Sequence, residues 1–203
     1  CQLLAFGEFT LFEYRGQYTV NEAHSIELFS PLRRELTQLS LGTYFAQVAE
    51  VLSQEDIPNP ELLSLLLNSL YALTKLGLPE AQVKAVFELR AACLSGFTPD
   101  LFGCHICGSQ EPVRFDLRAG QLECESCRDP DSDGIRLPVS PTVLEAMRYI
   151  CLCEPKRLFS FQIGKDALTL LGNLTEAYLA TQLERGFSTL DFYKSLFIGE
   201  SYV

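Results

Sequence analysis

The chain has 203 residues, with 16 Lys and Arg against 26 Asp and Glu, a formal charge of −10. Its 47% apolar and 11% aromatic content fits a globular fold and excludes a disordered chain. The acidity excludes a polybasic arm or a coat that wraps DNA by charge alone, while leaving room for a local basic patch.

In chain order, Glu8-Phe9-Thr10-Leu11-Phe12-Glu13-Tyr14 is rich in β-branched and aromatic residues, Arg15-Gly16 reads as a turn, and Gln17-Tyr18-Thr19-Val20 is extended again. This predicts a β-hairpin. A lone hairpin is marginal in water, so further strands are expected upstream. The chain opens on Cys1 rather than Met, which fits a natural N-terminus lying before it. Ser30-Pro31 then signals a helix start, and Leu32, Leu36, Leu39, Phe45, Val48 and Leu52 continue at helical spacing. Asn59-Pro60 repeats the signal before a leucine-rich helix that is apolar nearly all round and is expected to be buried on most sides. Ser64, Asn68, Ser69, Thr74 and Lys75 interrupt it, so it does not read as a membrane span, which needs about 20 apolar residues. No secretory signal is visible. Pro79 opens a third helix, which Gly96 is expected to close in the left-handed conformation.

Residues 97–139 lose the helical period. Ser140-Pro141 restarts it, Pro155 stops it, a long helix is expected near 165–185 with Gly186 closing it, and a short one near 190–197. The fold class is mainly α with a small β component: a helical bundle with a four-cysteine module inserted in it, preceded by the last strands of a β domain. The divisions are residues 1–29 (β remnant), 30–100 (first part of the bundle), 101–139 (cysteine module) and 140–203 (second part of the bundle).

The module carries the strongest signal. Cys104-His105-Ile106-Cys107 and Cys124-Glu125-Ser126-Cys127 form two C-x-x-C pairs with sixteen residues between them. Such pairs set two sulfurs on one side of a tight turn, about 2.3 Å from a shared zinc ion. Short strands near 113–117 and 121–122 would return the second pair to the first. Four thiolates fill the tetrahedron, so one structural Zn2+ is expected and no open position for catalysis. Two disulfides, or a thioredoxin-like redox site, are the alternatives; no βαβ pattern surrounds either pair. The redox setting this implies is cytoplasmic. His105 reads as an exposed knuckle residue and His24 as an ordinary surface histidine. Asp129-Pro130-Asp131-Ser132-Asp133-Gly134 imitates the start of a calcium loop, but the twelfth position is Ser140 where a bidentate Glu is needed. No phosphate-binding Gly loop, no G-x-S-x-G elbow and no Cys–His pair outside the module is present, so the sequence reads as a binding protein and not an enzyme.

The run Val86-Phe87-Glu88-Leu89-Arg90, then Gly96-Phe97-Thr98-Pro99, then the first knuckle with Gly108, resembles the signature of the bacterial recombination mediator family RecO. Pro58-Asn59-Pro60-Glu61-Leu62 and Leu137-Pro138-Val139-Ser140 also resemble family runs. The resemblance extends over nearly the whole chain. It implies that the first strands close an OB-fold β-barrel. It further implies binding of single- and double-stranded DNA, mainly through the region upstream, and annealing of complementary strands. Partners would be RecR, with which such proteins help RecA replace single-strand binding protein, and the acidic, apolar C-terminal tail of single-strand binding protein. The cellular place it implies is the bacterial cytoplasm, at the nucleoid. One departure stands out. Where the family often carries a basic P-L-K-S-R-x-F run, this chain reads Gly186-Phe187-Ser188-Thr189-Leu190-Asp191-Phe192.

Candidate DNA contacts are Arg33, Arg34, Lys156 and Arg157; the bland reading of each pair is a solvated helix end. Arg90, with Lys84 second, is the candidate anchor for the partner tail, because a guanidinium holds a carboxylate through two parallel hydrogen bonds. The competing reading pairs Arg90 with Glu88 or Glu61 inside the bundle. A protein of another class, a zinc-ribbon adaptor or transcription regulator that touches only protein, would show no salt-dependent DNA binding.

Overall fold

The computed structural model describes residues 2–128 and 134–198. The N-terminal strands β1 (Phe6–Tyr14) and β2 (Gln17–Glu27) pair antiparallel, joined by Arg15-Gly16. Both turn residues have positive φ, 52° and 75°, the backbone twist that suits a two-residue hairpin. Phe9, Leu11, Phe12, Tyr14, Tyr18, Val20 and Ile26 all remain exposed on this arm. Among the described residues the arm is a two-stranded sheet and not a barrel.

The helix expected from Ser30 is two elements. Ser30–Arg34 forms a 3-10 turn, Glu35 is extended, and α1 (Leu36–Leu52) begins after it. The break has a tertiary cause. Arg33 donates to the carbonyls of Leu3 and Leu28, tying the turn to the base of the hairpin arm.

Helix α2 (Pro60–Lys75) starts as read: Asn59 Oδ1 accepts from Leu62 N at 3.1 Å. It is not buried on most sides, however; Leu63 and Tyr71 face outward. That position belongs to α3 (Glu80–Leu94), where every residue from 82 to 89 is buried. Helix α3 is central because α1, α2, α4 (Pro141–Leu152) and α5 (Lys165–Gln182) all pack against it. Gly96, at φ 90°, closes α3 as expected, with Phe97 N donating to Ala92 O. Ser140 caps α4 by accepting from Val143 N. The left-handed residue after α5 is Glu184 and not Gly186; Arg185 N reaches Ala180 O across it. Helix α6 (Ser188–Ile198) returns to α1, where Thr189 Oγ1 donates to Gln47 Oε1.

One contiguous apolar core links the bundle to the inserted module. Phe45 stacks on Phe87 with centroids 4.2 Å apart, and Tyr44 meets Phe187 edge-on. Phe115, Leu117, Leu122 and Val139 of the module belong to the same core. No helix among the described residues is long and apolar enough to cross a membrane.

Candidate functional site

The module is a three-stranded antiparallel sheet with two knuckles at one end. Strands β3 (Arg114–Asp116) and β4 (Gln121–Glu123) are the expected pair; β5 (Arg136–Pro138), not foreseen, adds to the far side of β3. Arg136 holds the sheet together. Its Nε donates to Glu123 Oε2 at 2.7 Å, and its Nη2 lies 3.5 Å from Asp116 Oδ2, so one guanidinium spans all three strands.

The β3–β4 turn shows how local chemistry sets the cysteine spacing. Asp116 Oδ1 accepts from the N–H groups of Arg118 and Ala119, and Gly120, at φ 65°, donates to Asp116 O. This reverses the chain tightly and returns Leu122 beside Cys104. In the first knuckle, Gly108 N donates to Cys104 O and Cys104 N to Ser109 O, with Gly108 at φ 73°. His105 is exposed, yet its N–H donates to Leu122 O, and its Nδ1 lies 3.1 Å from the same oxygen. The histidine thus fastens one knuckle to the strand that carries the other. The second knuckle is a 3-10 turn, Glu125–Cys127.

These turns gather the Sγ atoms of Cys104, Cys107, Cys124 and Cys127 within 4.8 Å of one another, and the group could hold a metal ion. Cys107 and Cys124 are 3.6 Å apart. Four sulfurs about 2.3 Å from a common centre have edges of about 3.8 Å, so the cluster has the right size for such an ion. Burial opposes ionisation of Cys104, but the N–H groups of Cys107, Cys124 and Ile106 outweigh it and draw the thiol down to about 6. Cys127, hydrogen-bonded to Cys107 and Cys124, is pushed up to about 12. Of the calcium-like run Asp129 to Gly134, residues 129–133 lie outside the described residues.

The module is docked on α5. Phe115 meets Tyr178 edge-on at 5.2 Å, Tyr178 OH donates to Phe97 O, and Gln182 Nε2 donates to Leu117 O at 2.8 Å.

The other candidates are scattered. Arg33 is spent on backbone carbonyls, while Arg34 beside it is exposed. Lys156 and Arg157 are exposed on the 3-10 turn Pro155–Arg157. Arg157 borders an open groove of about 1060 Å³ along α4, with Arg148, Tyr149, Leu152 and Phe161. Arg90 lines a cleft of about 210 Å³ between α2 and α3 with Pro60, Glu61, Leu65, Leu94 and Leu158. Its Nη1 donates to neither Glu88 nor Glu61 but to Ile150 O and Cys151 O, the last carbonyls of α4. Lys84 is buried, 2.9 Å from Glu88 and 2.7 Å from Glu176.

The family model described as "Recombination protein O C terminal" matches residues 33–191, most of the chain. The chain belongs to the RecO family. Among similar proteins, the "DNA repair protein RecO" of Acetivibrio thermocellus is 33% identical over 198 residues, covering 96% of this chain and 78% of the relative. The "DNA repair protein RecO" of Alkaliphilus metalliredigens is 27% identical over 198 residues, covering 96% of this chain and 80% of that one. That of Caldicellulosiruptor saccharolyticus is 27% identical over 195 residues, with 95% and 78% covered. The RecO match starts at the 3-10 turn that carries Arg33 and runs through the module into α6.

Proposed function

We propose that this protein is a DNA-repair recombination mediator that works by binding and not by catalysis. In this reading it binds single- and double-stranded DNA, anneals complementary strands and, with RecR, helps RecA displace single-strand binding protein. The observation that supports it is the RecO family match across residues 33–191. The exposed aromatic and aliphatic side chains on β1 and β2 fit an arm that completes an OB-fold barrel with further strands. Such a barrel supplies the cationic groove that tracks a DNA backbone. The bundle would then be the protein-binding part, with the Arg90 cleft as the seat for the tail of single-strand binding protein. The working place is the cytoplasm, at the nucleoid.

The metal of the four-cysteine centre is zinc in this proposal, a structural ion that closes the module. An all-thiolate donor set at tetrahedral spacing supports it. Metal analysis should find near one zinc per chain, with all four thiols shielded from alkylation; two intact disulfides and no metal would overturn it.

The functional test is DNA affinity against salt. A mediator that neutralises phosphates shows log K falling linearly with log salt, and it speeds the pairing of complementary strands. A protein that binds no DNA even at low salt, or whose binding is indifferent to salt, is an adaptor that touches only protein.

A further inference from the structure

Two cysteines outside the metal centre are held face to face. Cys93 is in the last turn of α3 and Cys151 in the last turn of α4, and their Sγ atoms are 3.5 Å apart. That is contact distance for two sulfurs, about 1.5 Å longer than a disulfide bond. The approach is built into the frame. Arg90, one turn before Cys93, donates to Ile150 O at 3.1 Å and Cys151 O at 2.7 Å. These are carbonyls that the end of a helix leaves without intrahelical partners. The guanidinium thus fixes the end of α4 against α3 in the register that aligns the sulfurs. Both cysteines are half-buried. Cys151 also lines a small apolar cavity of about 100 Å³ with Thr98, Leu101, Phe102 and Arg148, enough for a molecule of the size of hydrogen peroxide.

We propose that Cys93 and Cys151 form an oxidisable dithiol, which a hydroperoxide converts into a disulfide that staples α3 to α4. The two sulfurs have different parts. Cys93 Sγ donates to Cys151 Sγ, and Cys151 lines the cavity that a peroxide can enter, so Cys151 is the sulfur that meets the oxidant and Cys93 the resolving thiol. The Cys151 sulfur attacks one peroxide oxygen, the O–O bond breaks, and the Cys151 proton passes to the leaving oxygen. Sulfur is oxidised by two electrons to a sulfenic acid, and the peroxide leaves as an alcohol, or as water from hydrogen peroxide. The Cys93 sulfur then attacks the sulfenic sulfur; the S–S bond forms, and hydroxide leaves and takes up the Cys93 proton as water. Two thiols and one hydroperoxide give one disulfide, one alcohol and one water.

The two cysteines are 58 residues apart in sequence, and the whole metal module lies between them. The bond would join both ends of that insertion whether or not the metal is in place. Cys153 is two residues beyond Cys151, past the end of α4, and is not aligned with Cys93 by the Arg90 contacts.

The test uses the full chain with its metal loaded, treated with hydrogen peroxide, alkylated and digested without reduction. Mass spectrometry should find the Cys93 and Cys151 peptides joined, lighter by two hydrogens and released by dithiothreitol, with the metal retained. Cys93→Ser should stop the reaction at a Cys151 sulfenic acid that dimedone traps. Cys151→Ser should leave Cys93 fully alkylated. If both cysteines stay alkylatable at peroxide levels that already expel the metal, or if the bond joins other cysteines, the proposal is wrong. Metal content is read in the same samples, so a failed zinc assignment and a failed dithiol are told apart.

Discussion

Lys84 and Glu88 face each other one turn apart on α3, Nζ 2.9 Å from Oε1, inside the protein. The Glu88 oxygens also accept from Tyr44 OH and Thr175 Oγ1, each at 2.9 Å, so one carboxylate joins α1, α3 and α5. Glu176 accepts from Lys84 and, at its other oxygen, from Lys194 of α6. Buried pairs of this kind add little net stability when assembled, but removing one partner leaves the other charge enclosed without compensation.

Lys84→Met should therefore cost about 3–5 kcal/mol near neutral pH. The deficit should shrink in acid. Burial raises Glu88 above its usual carboxylate value, and Lys84 is the main group opposing that rise. Without Lys84, the folded state holds a proton on Glu88 that the unfolded chain gives up, so stability grows as pH falls toward the ordinary value of 4.5. Urea unfolding of both proteins at pH 5 and pH 8 checks this; an equal deficit at both would show that charge is not the cause. In the unaltered protein the sign is the same but the window is alkaline. Burial depresses Lys84, but Glu88 and Glu176 outweigh it and hold it raised, so its stabilisation is complete below 10.5 and lost as pH climbs through the folded value. Tyr44, raised by burial and by Glu88, weakens the fold in the same alkaline window.

Gly120→Ala tests the docking of the module. A Cβ at Gly120 would stand 2.8 Å from Tyr178 Oη, and the residue has φ 65°. The variant should lose about 1–3 kcal/mol from backbone strain and crowding together. Chemical denaturation reads the loss, and Tyr178→Phe in the same background should recover part of it if the crowding is real.

Arg90→Ala should fray the end of α4. Two charge-assisted bonds to Ile150 and Cys151 carbonyls are removed, at a cost of about 2 kcal/mol. Binding of an acidic, apolar tail peptide, read by fluorescence anisotropy, separates the two roles of this residue. Arg90→Lys keeps the charge. If the tail binds Arg90→Lys as before while Arg90→Ala is folded and blind to it, the cation is an anchor; unchanged binding by a folded Arg90→Ala removes it from the site.

Stripping the metal, or Cys124→Ser, should raise amide exchange across 104–127 far more than in α1 to α3. The three strands have three residues each, and the knuckles depend on their ligands for order. Because Phe115 and Gln182 bind the module to α5, exchange should also quicken around Tyr178. Protection unchanged throughout would show that the strands and core suffice without the ion.

The signals readable in the sequence were those satisfied within a few residues. Asn59 and Ser140 cap their helices through a neighbour three positions on, Gly96 closes α3, and each C-x-x-C turn is local. What the sequence concealed depends on distant partners. Nothing near Glu35 announces the break before α1, which Arg33 produces by reaching Leu3 and Leu28. The polar residues Gln82, Lys84 and Glu88 masked the enclosure of α3, because their partners lie on other elements: Phe161, Glu176, Thr175 and Tyr44. Strand β5 is three residues long and pairs across the 129–133 segment, too short for an alternating pattern to show.

The 203-residue chain should bind DNA only weakly at physiological salt. It carries −10, and Arg33 and Lys84 are engaged within the fold. Phosphate binding requires free cations to displace counterions. Filter binding or anisotropy with an oligonucleotide measures it; nanomolar affinity would reveal a basic face made by Arg34, Lys156, Arg157 and their neighbours.

Placing α3 at the centre also sets a timetable for synthesis. Residues 82 to 89 leave the ribosome early, but Thr175, Glu176 and Lys194 come roughly 90 to 110 residues later, at about 5–20 residues per second. For several seconds the nascent chain holds a helix with Lys84 and Glu88 whose other walls do not yet exist. That pair, one turn apart, can neutralise itself in the meantime. The hairpin arm has no such wait, since its longest pairing, Phe6 with Glu27, is complete as soon as residue 27 emerges.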